Sequence, residues 1–414
     1  MKILILADQC NPEWASLPSF SYALAKSIAD NVDITLVTQI RNKSGIEKAG
    51  YKFKEVIYID NEYIAGPLHK FSIILEKLGV GGLMTNMAFK YPANIAFEYE
   101  TFKKLKVRIQ AKEFTFIQRI SPVSPTVPSP ISKWADIPFI YGPINGGLAW
   151  PEQFKDETKN EREFLRYVRN FYRYLPYYKS TFSMSTKILA AFSSVENDIP
   201  YKDRNKIMRF NELGVDTEQY KPNSNKTFEE KDQCKFVFVG RLVPCKCTYA
   251  AILAFANSQI LRSKHKFSIV GDGPERESLQ KLIDKHNLND SVEILGWMEQ
   301  SQVAKYMAKS DVFVFPSIRE AGGNVILEAM SSGLPSIVAN YGGPGELVDD
   351  KVGIKLPLTD KQTFLDSCVK SMELLADNTK LREKLSLNAR ERAVDVHDWV
   401  QKGRAMKKIY SDLL

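Results

Sequence analysis

Two glutamates flank a glycine pair in the stretch "REAGGNVILEAMSSGLP", which spans Arg319–Pro335. Glu320 follows the apolar run "VFVFPS", and a helix is predicted to start directly after the glycines. Glycine lets a ligand approach the backbone closely, and the N–H groups at a helix N-terminus bind phosphate. The carboxylate of Glu328, just over one turn into that helix, can accept two hydrogen bonds from a vicinal diol. The pattern indicates a sugar at one acid, a ribose at the other and a diphosphate between them; the structural alternative is a glycine turn before a core helix.

A second group of chemical interest is the pair of cations in "GRLVPCKC", where Arg241 and Lys246 follow a predicted strand. Charge-assisted hydrogen bonds from such side chains to phosphate are strong. Together with a helix N-terminus they would form a diphosphate clamp. The alternative is that both side chains are solvated surface residues.

Strands and helices that alternate along the chain must position these loops. In the first half the predicted strands are "KILILA", "VDITLVTQ", "VIYID", "FTFIQRI" and "IPFIYGP". The second half repeats the pattern with "KFVFVG", "KFSIVG", "VEILG", "VFVFPS" and "PSIVA", each separated from the next by a helical pattern. This alternation predicts an α/β protein with two doubly wound, Rossmann-like domains.

We place the domain boundary in the turn-rich segment "NELGVDTEQYKPNSNKTFEEKDQ", residues 211–233. The N-terminal domain then covers 1–210 and the C-terminal domain 211–395. The amphipathic segment 396–414 is predicted to be a helix. Since ligands of such sheets bind beyond the carboxyl ends of the strands, the glycine-rich loops of both domains are expected to face a central cleft.

Composition limits the classes of protein to which the chain can belong. A length of 414 residues fits two domains, and 26% charged residues is ordinary for a globular protein. The formal net charge of +8 suits anionic ligands, but the chain has no dense Lys/Arg tail, so we expect no nucleic-acid partner. Five scattered cysteines and no spanning segment favour a cytoplasmic protein.

Three further loops carry less specific signals. In "GDGPERE" the first glycine, Gly271, is a candidate donor contact or a structural turn residue. In "LGWM", Gly296 and Trp297 could border a nucleotide base, although Trp297 could equally be a core residue. In "GPINGGLAWP", Asn145, Gly146 and Gly147 follow a strand and are candidates for the acceptor or sugar side, with a purely structural role as the alternative.

Taken in order, these motifs resemble the donor domain of family-4 retaining glycosyltransferases (glycosyl transferases group 1), which have the GT-B fold. The resemblance covers residues 234–350 through "GRLVPCK", "GDGPERE", "LGWM", "DVFVFPS", the two glutamates with "EAMSSGLPSIVA", and "GGPGELV". Each motif is weak, but six in the order and spacing of the family are specific. In this fold the closing helix crosses back to the N-terminal domain.

The resemblance implies roles for particular residues. Arg241 and Lys246 would hold the donor diphosphate, Glu328 the ribose hydroxyls and Glu320 the transferred sugar. Backbone groups at the start of the following helix would contact phosphate or sugar; these belong to Gly323, Asn324 and Val325. The resemblance also implies front-face transfer, with the departing phosphate helping to deprotonate the acceptor. We expect no metal ion and no cofactor, because no D-x-D pair follows a strand and the cations supply the charge.

The chain departs from the family pattern at three places. Many members carry paired glycines in the first loop, which here reads "DQCNPEWASLP" and has none. Cys247 stands where the family usually has glycine, next to the phosphate-binding loop. The family often has a histidine after a strand in the middle of the N-terminal domain, and Gln118 occupies the corresponding place here. Whether Gln118 replaces that histidine on the acceptor side is left open by the sequence.

The stretch "REFLRYVRNFYRYLPYYK", residues 162–179, alternates arginines with aromatic residues at helical spacing. Such a stripe is typical of helices that lie on a membrane surface, and it suggests a peripheral contact at the inner face of the membrane. The alternative is a solvated helix whose aromatic side chains pack into the core.

The function that follows is a cytoplasmic glycosyltransferase that moves a sugar from a nucleotide-sugar, expected to be UDP-linked, to a saccharide or lipid-linked acceptor. Two rivals are a nucleotide-sugar-binding scaffold without turnover and a GT-B-fold nucleotide-sugar epimerase. A nicotinamide dehydrogenase is disfavoured, because no G-x-G-x-x-G follows the first strand of either domain. The sugar, the base and the acceptor are not specified by the sequence.

Overall fold

The computed structural model describes residues 1–77, 83–154, 171–223 and 233–414. Within these residues the chain forms two compact units. Unit 1 holds Met1–Gly147, the described part of Arg162–Glu212, and Lys402–Leu414. Unit 2 holds the described parts of Leu148–Glu161 and Leu213–Gln401.

Unit 1 is built on a parallel sheet of seven strands in the order β3-β2-β1-β4-β5-β6-β7. The strands are β1 Lys2–Ala7, β2 Asp33–Gln39, β3 Glu55–Ile59, β4 Phe116–Ser121, β5 Phe139–Ile144, β6 Ser185–Ala190 and β7 Ile207–Arg209. The order reverses between β1 and β4, so the sheet is doubly wound.

In the described part of unit 1, six α-helices precede residue 212, where the chain enters the main part of unit 2. They are α1 Leu17–Ala29, α2 Lys43–Lys48, α3 Glu62–Lys77, α4 Leu83–Gln110, α5 Ile131–Trp134 and α6 Tyr178–Met184. The strands β1 and β4 are buried along nearly their whole length, because helices cover both faces of the sheet. The core contains a buried ion pair, Arg119 with Glu98 at 3.9 Å, and the Arg119 guanidinium lies 4.5 Å from the Tyr141 ring centroid.

Unit 2 contains a parallel sheet of six strands in the order β10-β9-β8-β11-β12-β13. The strands are β8 Lys235–Val239, β9 Lys266–Val270, β10 Val292–Gly296, β11 Val312–Phe315, β12 Ser336–Ala339 and β13 Gly353–Leu356. The helices are α7 Thr248–Asn257, α8 Gln259–Lys264, α9 Arg276–Lys285, α10 Gln300–Met307, α11 Asn324–Ser331, α12 Gly342–Leu347, α13 Lys361–Asp377, α14 Thr379–Arg392 and α15 Trp399–Asp412, the last of which continues into unit 1.

The predicted strands are present in both units, and so are the predicted helices apart from that over 162–179. One predicted helix is divided: α7 ends at Asn257 and α8 begins at Gln259, because the Ser258 hydroxyl caps a new helix by accepting from Leu261 N–H. Three strands that the sequence analysis did not single out, β6, β7 and β13, extend the sheets at their edges.

Within the described ranges, the chain passes between the units at 147/148, 212/213 and 401/402. The segment 148–154 packs within unit 2 instead of unit 1, which differs from the expected domain limits. Its contacts explain this: the Phe154 ring meets Phe364 edge-on at 5.5 Å, and the Tyr341 hydroxyl donates to Ala149 O at 3.0 Å. The final residues of α15 pack within unit 1, where Met406 and Tyr410 are fully buried.

Of the predicted helix over 162–179, the part 162–170 lies outside the described residues. The remaining part does not continue as one α-helix, which corrects the prediction there. Phe171–Tyr174 form a 3-10 turn, and Tyr177 has a left-handed backbone (φ 67°) immediately before α6. Across the described ranges, no helix combines the length and the apolar character needed to cross a membrane.

Candidate active site

The loops after β8 and β11 lie side by side at the carboxyl edge of the sheet in unit 2, because these two strands are neighbours. The Ile318 N–H donates to Cys245 O at 2.9 Å, and the Ser317 hydroxyl donates to the same carbonyl at 3.2 Å. These bonds tie the loop that carries Arg241 and Lys246 to the loop that carries Glu320.

Lys246 and Glu320 form an ion pair across these two loops. Their side chains are 15% and 25% exposed, so the pair is partly buried and keeps some contact with solvent. The Lys246 ammonium also lies 4.9 Å from the centre of the Phe315 ring, which orients it by a cation–π contact. The structure thus brings together two predicted site residues that are separated by 74 positions.

Arg241 is exposed in the same loop. The loop is held by backbone bonds to the loop after β9: Leu242 N–H donates to Asp272 O at 3.0 Å, and Glu275 N–H donates to Leu242 O at 3.1 Å. A Cβ atom at Gly271 would lie 1.9 Å from Gly240 O. The role that the structure shows for Gly271 is therefore close packing beneath the loop that carries Arg241.

The glycines of "GGPGELV" perform the same task for the loop that carries Glu320. Gly343 N–H donates to Glu320 O at 3.0 Å. A Cβ atom at Gly343 would lie 1.9 Å from Gly322 O, a distance that no side chain tolerates. The loop at Glu320 thus lies directly on the backbone that begins α12.

The helix α11 starts as predicted after Gly323, which has a left-handed backbone with φ 108°. Asn324 and Val325 are its first two residues, and the first-turn N–H groups of a helix lack partners within the helix. The Asn324 amide donates to Glu328 Oε1 at 2.9 Å. Burial raises the pKa of Glu328 to about 7, against the opposing effects of the Asn324 and Tyr220 side chains.

Cys247 has a left-handed backbone (φ 48°) at the start of α7. Glycine adopts that conformation without strain, which gives a physical reason for the glycine that the family usually has there. The Cys247 side chain is fully buried and donates weakly to Pro244 O at 3.5 Å. The substitution therefore leaves the turn in the loop intact.

The loop at Gly296 and Trp297 follows β10, at the edge strand of the same sheet. Gly296 has a φ of 79°, which favours glycine. Trp297 is 71% exposed, so the alternative of a core tryptophan is wrong. An exposed indole at the carboxyl end of a strand is available to stack on a base.

In unit 1, Gln118 is fully buried. Its side-chain amide donates to Gly142 O at 2.7 Å, and its amide oxygen accepts from the Tyr410 hydroxyl. Both ends of the amide therefore contact protein. In this structure Gln118 anchors α15 to the sheet of unit 1, and its place on the acceptor side stays a prediction.

Asn145, Gly146 and Gly147 follow β5, as predicted. The Asn145 amide donates to Glu212 Oε1 at 2.6 Å, and the Ser194 hydroxyl donates to Gly146 O at 3.1 Å. A Cβ atom at Gly147 would lie 2.3 Å from Asp198 Oδ2, so the absence of a side chain at Gly147 has a packing reason within unit 1.

Three residues near these candidates were not singled out from the sequence. Tyr220 lies beside Glu328 and opposes the rise of its pKa. Glu212 and Lys402 are buried together in unit 1, where burial lowers the pKa of Lys402 to about 8 and raises the pKa of Glu212. The burial of these three residues distinguishes them in the structure, because none of the three belongs to a motif that the sequence analysis interpreted.

In the described ranges, no group of three or more His, Cys, Asp or Glu side chains is placed so that it could hold a metal ion. Metal-independent chemistry remains a prediction for this protein.

The segment that carries the donor-side candidates is similar in sequence to known glycosyltransferases. Residues 219–392, which contain all the donor-side candidates, match the family model described as "Glycosyl transferases group 1". The "UDP-Gal:alpha-D-GlcNAc-diphosphoundecaprenol alpha-1,3-galactosyltransferase" of Escherichia coli is 31% identical over 212 residues, which cover 49% of this chain and 53% of that protein. The chain spans about half the length of the curated relatives it matches.

Solved structures resemble the whole chain. Sucrose-phosphate synthase from Thermosynechococcus elongatus superposes with a TM-score of 0.68 at 16% identity, covering 100% of this chain and 99% of that one. HepE from Anabaena, solved in complex with UDP, gives a TM-score of 0.64 at 18% identity, with both chains covered completely. The fold is therefore GT-B with two Rossmann-like units, and the predicted resemblance to glycosyl transferases group 1 is confirmed for unit 2.

Proposed function

We propose that this chain is a retaining glycosyltransferase that moves a sugar from a nucleotide-sugar to a saccharide or lipid-linked acceptor. The observation that carries the proposal is the Lys246–Glu320 ion pair, which lies in the same unit as Glu328 and within the segment that matches the glycosyl transferases group 1 family. A cation, an acid suited to a sugar and an acid suited to a ribose are the groups that a nucleotide-sugar requires.

Each side chain has a task in this proposal. Lys246 and Arg241 hold the donor diphosphate, together with the N–H groups at the start of α11. They stabilise the negative charge that grows on the leaving diphosphate, and such preorganised groups are a major source of catalysis. Glu320 binds the transferred sugar and orients its anomeric carbon. The departing phosphate helps to deprotonate the acceptor, so neither a metal ion nor a cofactor is needed.

The proposed donor is UDP-linked. HepE, which shares the fold, was solved with UDP, and the relative from Escherichia coli is named for a UDP-Gal donor. The name of that relative also includes a diphosphoundecaprenol acceptor, which supports a lipid-linked acceptor for this chain. We place the enzyme in the cytoplasm, at the inner face of the membrane that holds such an acceptor.

The proposal is tested by incubating the purified protein with labelled UDP-, GDP- and ADP-sugars and a lipid-containing cell extract. We expect transfer of label from a UDP-sugar into a new product whose linkage keeps the anomeric configuration of the donor. EDTA should leave the rate unchanged. A rate that EDTA abolishes and Mg²⁺ or Mn²⁺ restores would show that the assignment of the cations is wrong.

The same experiment separates the rival functions. A nucleotide-sugar-binding scaffold would bind the donor but transfer no label under any condition. An epimerase would convert the UDP-sugar without an acceptor. Either result would overturn the proposed transferase.

A further inference from the structure

Tyr220 lies in the segment 213–223, which opens the main part of unit 2 and docks on the C-terminal half of α11. Its backbone is fixed there. Tyr220 N–H donates to Asp216 O at 3.0 Å, while Tyr220 O accepts from the Arg390 guanidinium at 3.0 Å and from the Ser331 hydroxyl. The position of the ring relative to α11 is therefore set by the fold.

The Tyr220 side chain is buried beside Glu328. Only 4% of the residue is exposed, and its hydroxyl opposes the effect of burial on the Glu328 pKa. Within the described ranges, that hydroxyl forms no hydrogen bond of standard geometry, and neither does Asn324 Oδ1. A buried hydroxyl outside standard hydrogen-bond geometry costs free energy that a phenylalanine at this place would avoid.

The Glu328 carboxylate can accept more hydrogen bonds than Asn324 supplies, which leaves a position for the Tyr220 hydroxyl. An ionised carboxylate offers about four acceptor positions. Asn324 uses one of them, on Oε1. A ribose diol needs two, and the remaining one is available to the Tyr220 hydroxyl.

We propose that Tyr220 is a positioning residue of the donor site, whose buried hydroxyl donates to Glu328 and holds its carboxylate facing the ribose diol of the nucleotide-sugar. This inference rests on the proposed function and deepens it, because it names a residue through which the ribose acid is oriented. Tyr220 itself is not assigned any contact with the donor.

Other charged or titratable groups lie near the segment 213–223 and α11. On the segment 213–223, Asp216 affects the pKa of the Tyr220 hydroxyl by its charge. On α14, Arg390 donates to the carbonyls of Thr217, Tyr220 and Ser331. His397 is buried in the turn that follows α14 and packs near α11. Burial raises the pKa of the Glu328 carboxyl, and the side chains of Asn324 and Tyr220 oppose that rise.

The experiment measures the affinity of UDP-glucose by calorimetry between pH 6 and pH 9, for the wild type and for Tyr220→Phe. Since the ionised Glu328 accepts the diol, wild-type affinity should fall as pH drops through the Glu328 pKa of about 7. A hydroxyl that stabilises the ionised form lowers this midpoint. The Phe variant should therefore have its midpoint about one pH unit higher and bind about tenfold more weakly at pH 7.

Two controls make the result specific. Tyr306→Phe removes another hydroxyl of unit 2 that is bonded to a glutamate, Glu293, and should leave the profile unchanged. Glu328→Gln should flatten the profile with or without the Tyr220 change. The melting temperature of Tyr220→Phe should equal or exceed that of the wild type, because the ring is kept.

Three outcomes would overturn the inference. An unchanged midpoint in Tyr220→Phe would reduce the residue to a packing role, even if affinity fell uniformly. A pH dependence that survives in Glu328→Gln would assign the titration to another group. Absence of UDP-glucose binding by the wild type at every pH would overturn the proposed UDP donor together with this inference, whereas binding with an unchanged Phe profile would overturn the inference alone.

Discussion

The ion pair between Lys246 and Glu320 links the two chemical tasks of the donor site. Without a ligand, the cation is partnered by the acid that is proposed to bind the sugar. A diphosphate would share the Lys246 ammonium, which carries three donors. Lys246 would then join the leaving group to the acid that orients the sugar, whereas the exposed Arg241 would contact phosphate alone.

We predict that Arg241→Ala and Lys246→Ala each lower kcat/KM by about 10- to 150-fold, since each removes a charge-assisted bond worth roughly 1.5–3 kcal/mol. Charge builds on the leaving phosphate in the transition state, so kcat should fall as well as affinity. The double variant should lose less than the product of the two single losses, because both cations serve one group. Steady-state kinetics with the preferred donor measures this.

The matched controls for this prediction are Lys264, the last residue of α8, and Lys266, the first residue of β9, which lie at the amino edge of the sheet. Their alanine variants should keep wild-type kinetics. Equal losses in Lys266→Ala and Arg241→Ala would attribute the effect to overall charge or stability, and the clamp would be refuted.

At the scale of the elements, glycines set the distance between neighbouring loops of unit 2. Gly271 lets the loop after β9 lie against Gly240, and Gly343 lets the start of α12 lie against Gly322. In both places a carbonyl oxygen occupies the space that a side chain would need. The glycines of "GDGPERE" and "GGPGELV" therefore support the loops that carry Arg241 and Glu320.

We predict that Gly343→Ala weakens UDP-glucose binding at least tenfold and lowers the free energy of unfolding by about 1–3 kcal/mol, because its methyl group must displace the loop at Gly322. Calorimetry and denaturant titration measure the two effects. Gly66→Ala in α3 is the control, since its Cβ atom would meet nothing closer than 3.5 Å. Wild-type binding by Gly343→Ala would contradict the supporting role.

The parallel sheets were predictable because their strands are short apolar runs separated by amphipathic helices. The loops with Arg241 and Glu320 were predictable as neighbours from the carboxyl-edge rule. Contacts that depend on tertiary structure were not. The bonds of Gln118 to Gly142 and Tyr410, and the place of Tyr220 beside Glu328, join residues far apart in sequence and leave no local pattern.

At the scale of the whole molecule, the chain passes between the two units at three places within the described residues, and the passage at 147/148 is the least expected of them. The same stretch "GPINGGLAWP" serves both units: Gly147 packs on Asp198 of unit 1, and Trp150 lies 5.2 Å from the Arg319 guanidinium of unit 2. One continuous loop in the sequence is thus two structural segments with different neighbours.

The membrane contact proposed for residues 162–179 gains one structural observation: Phe171 and Tyr174 are 62% and 82% exposed. We predict that the protein sediments with anionic vesicles, is released by salt, and loses binding when Arg166 and Arg169 are replaced by Gln. Arg173 is kept, because its guanidinium donates to Asn197 O at 2.9 Å. Vesicle sedimentation measures this.

The control for that experiment is a variant with Lys264→Gln and Lys266→Gln, which loses the same charge from unit 2. It should sediment as the wild type does. Equal recovery with neutral and anionic vesicles would refute the electrostatic contact and leave only a packing role for the aromatic residues.

The central claim is that unit 2 binds a nucleotide-sugar through the groups around Glu328, and a thermal-shift panel of UDP-, GDP- and ADP-glucose tests it most directly. A ligand at 100 times its dissociation constant stabilises the folded protein by about 2.7 kcal/mol, so the melting temperature should rise by a few degrees, about 2–4 °C. We predict that rise with UDP-glucose for the wild type and Lys266→Ala, and its loss in Glu328→Ala. No shift with any of the three sugars, or a shift that persists in Glu328→Ala, would contradict the account.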